Sequence, residues 1–331
     1  MFRILTVFGA LLLISCSSGP ALQNNTVNKV DQSGMDDDVA GRFEVSDTKV
    51  VPTPAPPPPT PTKKQRRGKK GKAPAKEAKK PVAKKFEFAS RRPAKMPFSP
   101  GERTLMSITY LGVEAGTLDL RVLPYKFIGD RKAYHFRGHG LSTSVFALFY
   151  RVNDVGDSFM DYDGLFSHRF QLKVDESRQE RDLVEFYDQE KNIVHYWEKM
   201  VHVKKGLRIT QFAKEVEQYA QDAVTAAFYL RTLPLEMGKE YSYPMVTNGK
   251  VWTVTARVIR KENLVTAIGT IPAIVVQPET RFEGVLKTVG ASYMWLSDDE
   301  HRNFLKVDAK VKIGSVVAYL KQLDQGEPET P

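Results

Sequence analysis

The chain has 331 residues, enough for one large domain or two ordinary ones, and with no cysteine after Cys16 it excludes a disulfide framework and a thiolate zinc site. Its net charge of +10 is a local property: Lys63 to Lys95 hold 15 Lys/Arg against two acids, a net +13, whereas Met96 to Pro331 come to −1. The high isoelectric point therefore describes one segment and not a fold.

In chain order, Met1 to Ser15 carry one cation, Arg3, an apolar core from Ile4 to Ile14, and small Ser15 directly before Cys16. This resembles a bacterial lipoprotein signal peptide ending in the lipobox Leu13-Ile14-Ser15-Cys16. The apolar run is too short for the ~20 helical residues that a ~30 Å hydrocarbon core demands. The resemblance implies cleavage before Cys16, acylation (palmitate among the chains) and a lipid anchor in the cell envelope. The outer membrane, facing the periplasm, is the expected address.

Residues 17 to about 50 are polar, with the acidic run Asp36-Asp37-Asp38 and few large apolar side chains. Pro52 to Pro61 read Pro-Thr-Pro-Ala-Pro-Pro-Pro-Pro-Thr-Pro, which favours extended polyproline II because each ring fixes φ and removes a donor. The cationic run follows, with too little apolar surface to offset the entropy of ordering it. Residues 16–96 thus read as a disordered tether whose contour, at ~3.1 Å per residue, approaches ~240 Å. Lys63, Lys64, Arg66, Arg67, Lys69 and Lys70 would suggest nucleic acid in a cytosolic chain. Export removes that partner and leaves lipopolysaccharide phosphates, acidic groups of peptidoglycan, or anionic lipid, each cation contributing ~1 kcal/mol near such a surface before screening. A solubilising spacer is the plainer reading of the same run.

From Met96 the pattern changes to period-two alternation, the mark of half-buried strands. Leu118, Leu120 and Val122 share a face, as do alternate positions from Phe166 to Val174, then Trp252, Val254, Ala256 and Val258. Leu305, Val307, Ala309, Val311 and Ile313 repeat the pattern. One apolar and one charged face imply an antiparallel sheet covered on one side only. Gly129, Gly164 and above all Asn248-Gly249 mark the turns. Asp222 to Arg231 break the rhythm as a helix with Asp222 as N-cap, closed by Pro234 and packed on the sheet through an apolar stripe. A shorter helical turn is expected around Ser144 to Phe149.

From Phe98 to about Leu320 the chain presents in order Phe98-Ser99-Pro100-Gly101-Glu102, Gly112 to Thr117, Tyr150-Arg151-Val152-Asn153-Asp154, the helix with Pro234-Leu235, and Trp295 to Asp299. This order, with its spacing, resembles a bacterial exported family known as domain of unknown function 3108. The resemblance implies an exported, mainly β domain: a large curved antiparallel sheet, an open barrel or spiral, packed around one short helix. It implies no reaction. The expected plan is a signal peptide at 1–15, the tether at 16–96, the β-rich domain at 97–322 and a disordered tail at 323–331.

Chemistry is harder to find. His135 and His139 stand four apart in a strand, ~13 Å and too far for one metal ion. His168 falls on an apolar face, as a satisfied core histidine would. Ser142, Ser144 and Ser315 lack a Gly-x-Ser-x-Gly setting. Asp298-Asp299-Glu300 reads as a solvated turn, and Gly112 and Gly116 flank a turn with no helix behind it to bind phosphate. Asp222 and Arg231, nine apart and ~13 Å along one helix, act separately, as a cap and as a cation at the C-terminal end of the dipole. No catalytic, metal or cofactor residue is assigned.

The expectation is a lipid-anchored envelope protein with a non-enzymatic binding or structural β domain. Its expected partners are the membrane and an envelope polymer, lipid or protein. Two other classes stay open: a lipid or lipoprotein carrier, if the helix leaves an apolar groove, and a wall-active hydrolase, if Asp, Glu and His converge in a cleft.

Overall fold

The computed structural model describes residues 30, 35–49, 88–282, 285–286, 292–311 and 314–327. Cys16, the signal-peptide segment and the run from Lys63 to Lys70 lie outside the described residues.

Alternation becomes strand throughout. The first half holds β1 (Val45–Ser46), β2 (Arg103–Tyr110), β3 (Val113–Ile128), β4 (Arg131–Ser142), β5 (Asn153–Asp161), β6 (Ser167–Glu176), β7 (Gln179–Asp188), β8 (Ile193–His202) and β9 (Gly206–Glu215). The second holds β10 (Glu240–Thr247), β11 (Lys250–Thr266), β12 (Gly269–Phe282), β13 (Val285–Leu286), β14 (Tyr293–Ser297), β15 (Phe304–Lys310) and β16 (Ser315–Asp324). They form one sheet in the order β10-β11-β12-β14-β15-β16-β2-β3-β4-β5-β6-β7-β8-β9, with β1 added to β3 and β13 to β12. Two meanders are therefore joined where the last strand pairs antiparallel with β2, Val316 opposite Tyr110. The β10–β11 turn is the two-residue type that Asn-Gly favours, with φ of 51° at Asn248 and 66° at Gly249. Pro124, which has no amide to give, falls in a break of register between Leu123 and Lys126.

Among the described residues, three helices accompany the sheet: α1 (Asp37–Arg42), α2 (Ser144–Ala147) and α3 (Ala223–Arg231). The expected helix is α3, but it does not lie on the sheet by one stripe: every residue from Val224 to Arg231 is buried. A helix apolar on all sides belongs in the middle of a core. Its Phe228 stacks on Phe136 of β4 at 3.9 Å and meets Phe98 and Phe304 of β15 edge-on, while the Tyr243 hydroxyl of β10 donates to the Ala226 carbonyl. One helix thus touches both meanders and fills the curl. The curl is drawn together by Ala220-Gln221: the Ala220 carbonyl accepts from Ser167 at the start of β6, and Gln221 bridges Met245 of β10. The edge of β10 meets the first meander there, and β8–β9 run on beyond it, with β9 exposed along its length. The spiral expectation holds.

Three expectations are corrected. First, the outer face is not simply solvated. Residues 35–49 lie on it: Asp36 caps α1, β1 pairs with β3, and Phe43 stacks on Phe186 within an apolar cluster of Ile128, Ala133, Phe159 and Val184. Part of the supposed tether is therefore folded onto the domain, because Phe43, Val39 and Val45 offer an apolar face that the sheet can bury. Residues 88–96 are likewise placed, Phe88 against Phe166 and the Arg91 amide on the Asp163 carbonyl. Second, Leu305 does not share a face with Val307: a bulge between Trp295 and Leu296 sends it to an outer cluster with Trp295, Val275 and Leu320. Third, the chain stays ordered past 322, since β16 reaches Asp324 and the Glu327 amide donates to the Pro100 carbonyl.

Alternate hairpins turn at opposite ends, so the sheet has two rims. One carries the turn after β2, the α2 loop and the turns after β6 and β8. The other carries the turns after β3, β5, β7 and β14, together with Glu102 and the end of α3.

Candidate functional site

Among the described residues, three groups of buried ionisable side chains bear on a possible site, and each must be explained because an unpaired buried charge is costly.

The first lies at the two ends of α3. Asp222 Oδ1 accepts the amides of Val224 and Thr225, while Oδ2 accepts the Ser158 and Ser167 hydroxyls at 2.6 Å each. Burial pushes its pKa up even so. Arg231 is buried among the rings of Phe98, Phe228 and Phe304, its guanidinium carbon 5.1–5.3 Å from each centroid. It donates to both oxygens of Glu102, at 2.6 and 2.9 Å, and to the carbonyls of Pro97 and His301. The two residues do act separately, as their spacing requires. What the sequence did not reveal is Glu102, 129 positions away, although it stands within Phe98 to Glu102.

The second group lies on the outer face beneath α1 and β1. His135 Nε2 is 2.8 Å from Asp157 Oδ1, and Arg137 donates to the same carboxylate at 2.7 and 3.0 Å. Burial raises the Asp157 pKa, but these donors outweigh it and hold the carboxyl down at about 2. Burial pulls His135 below its usual value, so the ring is neutral near pH 7 and Nε2 carries the proton given to Asp157. Arg169, lowered to about 10 by burial, donates to Gln171 and to the Phe43 carbonyl. The cluster is thus closed by a backbone group of the N-terminal segment itself.

The third surrounds the tip of the β10–β11 hairpin. Glu185 accepts the Gly249 amide at 2.8 Å and the Tyr187 hydroxyl at 2.9 Å. Full burial pushes its pKa up to about 7 despite both bonds.

The remaining candidates settle into local roles. His168 is buried with Nε2 2.9 Å from Asp161, whose carboxylate also accepts from Arg131 and from the amides of Asp163 and Gly164, and His139 bonds Asn153. Ser142 accepts the Val152 amide, Ser144 opens α2, and Ser315 accepts from Lys310. Asp298, Asp299 and Glu300 form the β14–β15 turn, where Asp299 accepts the amides of His301 and Arg302 while Asp298 and Glu300 pair with lysines. Among the described residues, no three His, Cys, Asp or Glu side chains converge to hold a metal ion. One cleft of about 400 Å³ opens at the rim by Lys49, Asp130, Arg131 and Asp163, and another of about 300 Å³ lies under the β11–β12 hairpin tip beside Ser107, Glu114 and Tyr319.

An open antiparallel sheet curled about one buried helix is the class that this geometry defines. The chain belongs to the family described as protein of unknown function DUF3108, whose model matches residues 106–321. No curated protein is similar enough to count as a relative. Among solved structures, the chain is similar to a β-barrel-like protein of domain DUF1849 from Brucella abortus at 13% identity, with a TM-score of 0.42, over 68% of this chain and 98% of that one. It is also similar to a protein from Bacteroides fragilis described as exported with a YmcC-like fold, at 8% identity and TM-score 0.30, over 70% of this chain and 99% of that one. A third, described as a lipoprotein, from Parabacteroides distasonis, shares 9% identity at TM-score 0.29 over 70% of this chain and 99% of that one.

Proposed function

We propose that the chain is a lipid-anchored envelope protein whose β domain is a non-enzymatic binding or structural body, held to the membrane through Cys16. The observation that carries the second part is the state of the buried carboxylates. Each one beside a histidine is already neutralised by an arginine, Asp157 by Arg137 and Asp161 by Arg131, and the first is roofed by the chain's own N-terminal segment. A general base needs a free lone pair aimed at substrate, and these have spent theirs on internal donors. The carrier reading loses support because the concave face, where an acyl chain would lie, is occupied by α3 and the rings of Phe98, Phe136 and Phe228. The first part rests on the lipobox pattern.

Metabolic labelling with a palmitate analogue tests the anchor: label should enter the wild-type chain and be absent from Cys16→Ala, which should also leave the membrane fraction in carbonate. A wild-type chain that takes no label ends the lipobox reading. The cationic run is tested by replacing its lysines and arginines from 63 to 80 with serine and measuring pull-down on peptidoglycan and lipopolysaccharide. Removing everything before Met96 would also strip residues that pack on the sheet, so substitution is the cleaner variant.

A further inference from the structure

We infer that the rim carrying α2 and the turns after β2, β6 and β8 is a contact surface for an anionic lipid bilayer. The proposal rests on the envelope reading above but not on acylation. Large apolar side chains are exposed there in unusual concentration: Leu111 and Val113 beside the turn after β2, Val145, Leu148 and Phe149 on the α2 loop, and Val203 after β8. Leu148 and Phe149 are 83% and 81% exposed, which is more than packing on neighbouring loops would leave. At the opposite rim the turns after β3, β5, β7 and β14 expose no large apolar side chain among the described residues, and the approach to β10 offers Met237; Val265 and Ile268 are exposed on the separate β11–β12 tip. Scattered single exposures need no explanation, but a contiguous set does.

Contiguity is built into the backbone. The Thr143 amide donates to the Ala115 carbonyl, joining the α2 loop to β3. Arg151 and Ser177 exchange bonds between the α2 loop and the turn after β6, and the Val203 amide donates to the Arg178 carbonyl, joining that turn to the one after β8. The three loops are one continuous ledge.

Its charge fits a bilayer better than a protein core. Arg178, Lys204 and Lys205 are exposed between the apolar side chains. The ledge also carries Glu114, Asp175, Glu176 and Glu180; Asp175 is paired with Arg151 and Glu114 faces Lys321 at 3.9 Å, while Glu176 keeps its charge as it accepts the Tyr150 hydroxyl. Apolar side chains with interleaved cations suit the headgroup boundary, where hydrocarbon enters and cations meet phosphate. The anchor permits the pose. Val30 packs with the outer cluster around Phe186, which is seven residues, or about 24 Å at ~3.4 Å each, from the rim end of β7. The fourteen residues from Cys16 to Val30 span up to about 50 Å.

Because Cys16 is the only cysteine, site-specific probes are simple. In the full chain with Cys16→Ala, an environment-sensitive fluorophore is placed at Phe149→Cys or at Met237→Cys and titrated with vesicles of three parts phosphatidylethanolamine to one part phosphatidylglycerol. The expected result is a several-fold rise in emission at 149, quenched by brominated acyl chains, with no change at 237. Leu148→Ser with Val203→Ser should weaken vesicle binding at least tenfold without moving the thermal midpoint. The response at 149 should survive serine replacement of the cations from 63 to 80. Binding with no change at 149, equal response at both sites, or no binding overturns the proposal. A change at 149 that grows with protein concentration without lipid also overturns it, in favour of self-association. Since Cys16 is absent throughout, none of these failures touches the anchor reading.

Discussion

Glu102–Arg231 and Asp157–Arg137 are the same chemistry on opposite faces of one sheet. Both place a bidentate guanidinium on a buried carboxylate; the first sits among three aromatic rings and the second beside His135, which is itself stacked on Phe159. They differ in what covers them. The first is enclosed by α3, β15 and the Phe98 segment, so water reaches it only when the curl opens. The second is covered by residues 35–49, a short piece held by Phe43, Arg42 and two strand residues. Local opening should cost little at the second site and nearly the whole folding free energy at the first. The inner pair is a fixture of the fold, and the outer one is a covered patch whose cover can lift.

The largest expected effect comes from breaking the inner pair. Arg231→Met leaves Glu102 buried and uncompensated and should cost about 3–5 kcal/mol in urea unfolding at pH 7. Adding Glu102→Gln should recover a good part of that loss, since the penalty is the orphaned charge and not the lost attraction. A single variant within 1 kcal/mol of wild type would show that the pair is not enclosed as described.

Acidity sharpens the comparison further. Glu185, at about 7 in the fold against 4.5 when unfolded, contributes stability that is full below pH 4.5 and is lost as pH rises to about 7, on the order of 3 kcal/mol. Asp154, pushed up to about 8 by burial and the nearby Glu176 charge, acts in the same direction. Asp157 acts oppositely: at about 2 against 3.8, its contribution is present above pH 3.8 and lost below. Unfolding midpoints should therefore fall between pH 5 and pH 8, and Glu185→Gln should flatten that fall. A slope unchanged in the glutamine variant would rule out Glu185 as its source.

The smallest effect is the most selective. Phe43→Ala should free residues 35–49 with a change of only about 1–2 kcal/mol in the main transition, speeding hydrogen exchange at β1 and the end of β3 while α3 stays protected. His135, now depressed by burial, should titrate closer to 6.5 once uncovered. Exchange that quickens equally at α3 would erase the distinction between the two sites.

Much of this was legible in the sequence wherever the signal is local. Period two placed the strands, Asn248-Gly249 placed a hairpin, and Asp222 with Pro234 bounded α3. Asp36 also had the position of a cap, with Asp37 and Asp38 in the first turn, yet the run read as mere acidity because so few apolar residues follow it. Leu305 was placed on the wrong face because a bulge shifts parity without leaving any mark in composition. The charged face of β4, with His135 and Arg137, read as solvated because nothing local says that a distant segment will lie across it. Glu102 finding Arg231, and Ser158 and Ser167 finding Asp222, are facts of topology.

Lys49 and Phe88 both lie beside Arg131, the first in the rim cleft and the second with the Arg131 guanidinium 5.1 Å from its ring. The 38 residues between them leave and return at one place on the rim opposite α2. Whatever path they take, they add nothing to the separation between Cys16 and the sheet, so the stretch is a handle and not a leash. Its midpoint falls at Gly68-Lys69, inside the run from Lys63 to Lys70. The densest positive charge in the chain therefore lies in a stretch whose two flanking residues are both fixed at the rim opposite α2.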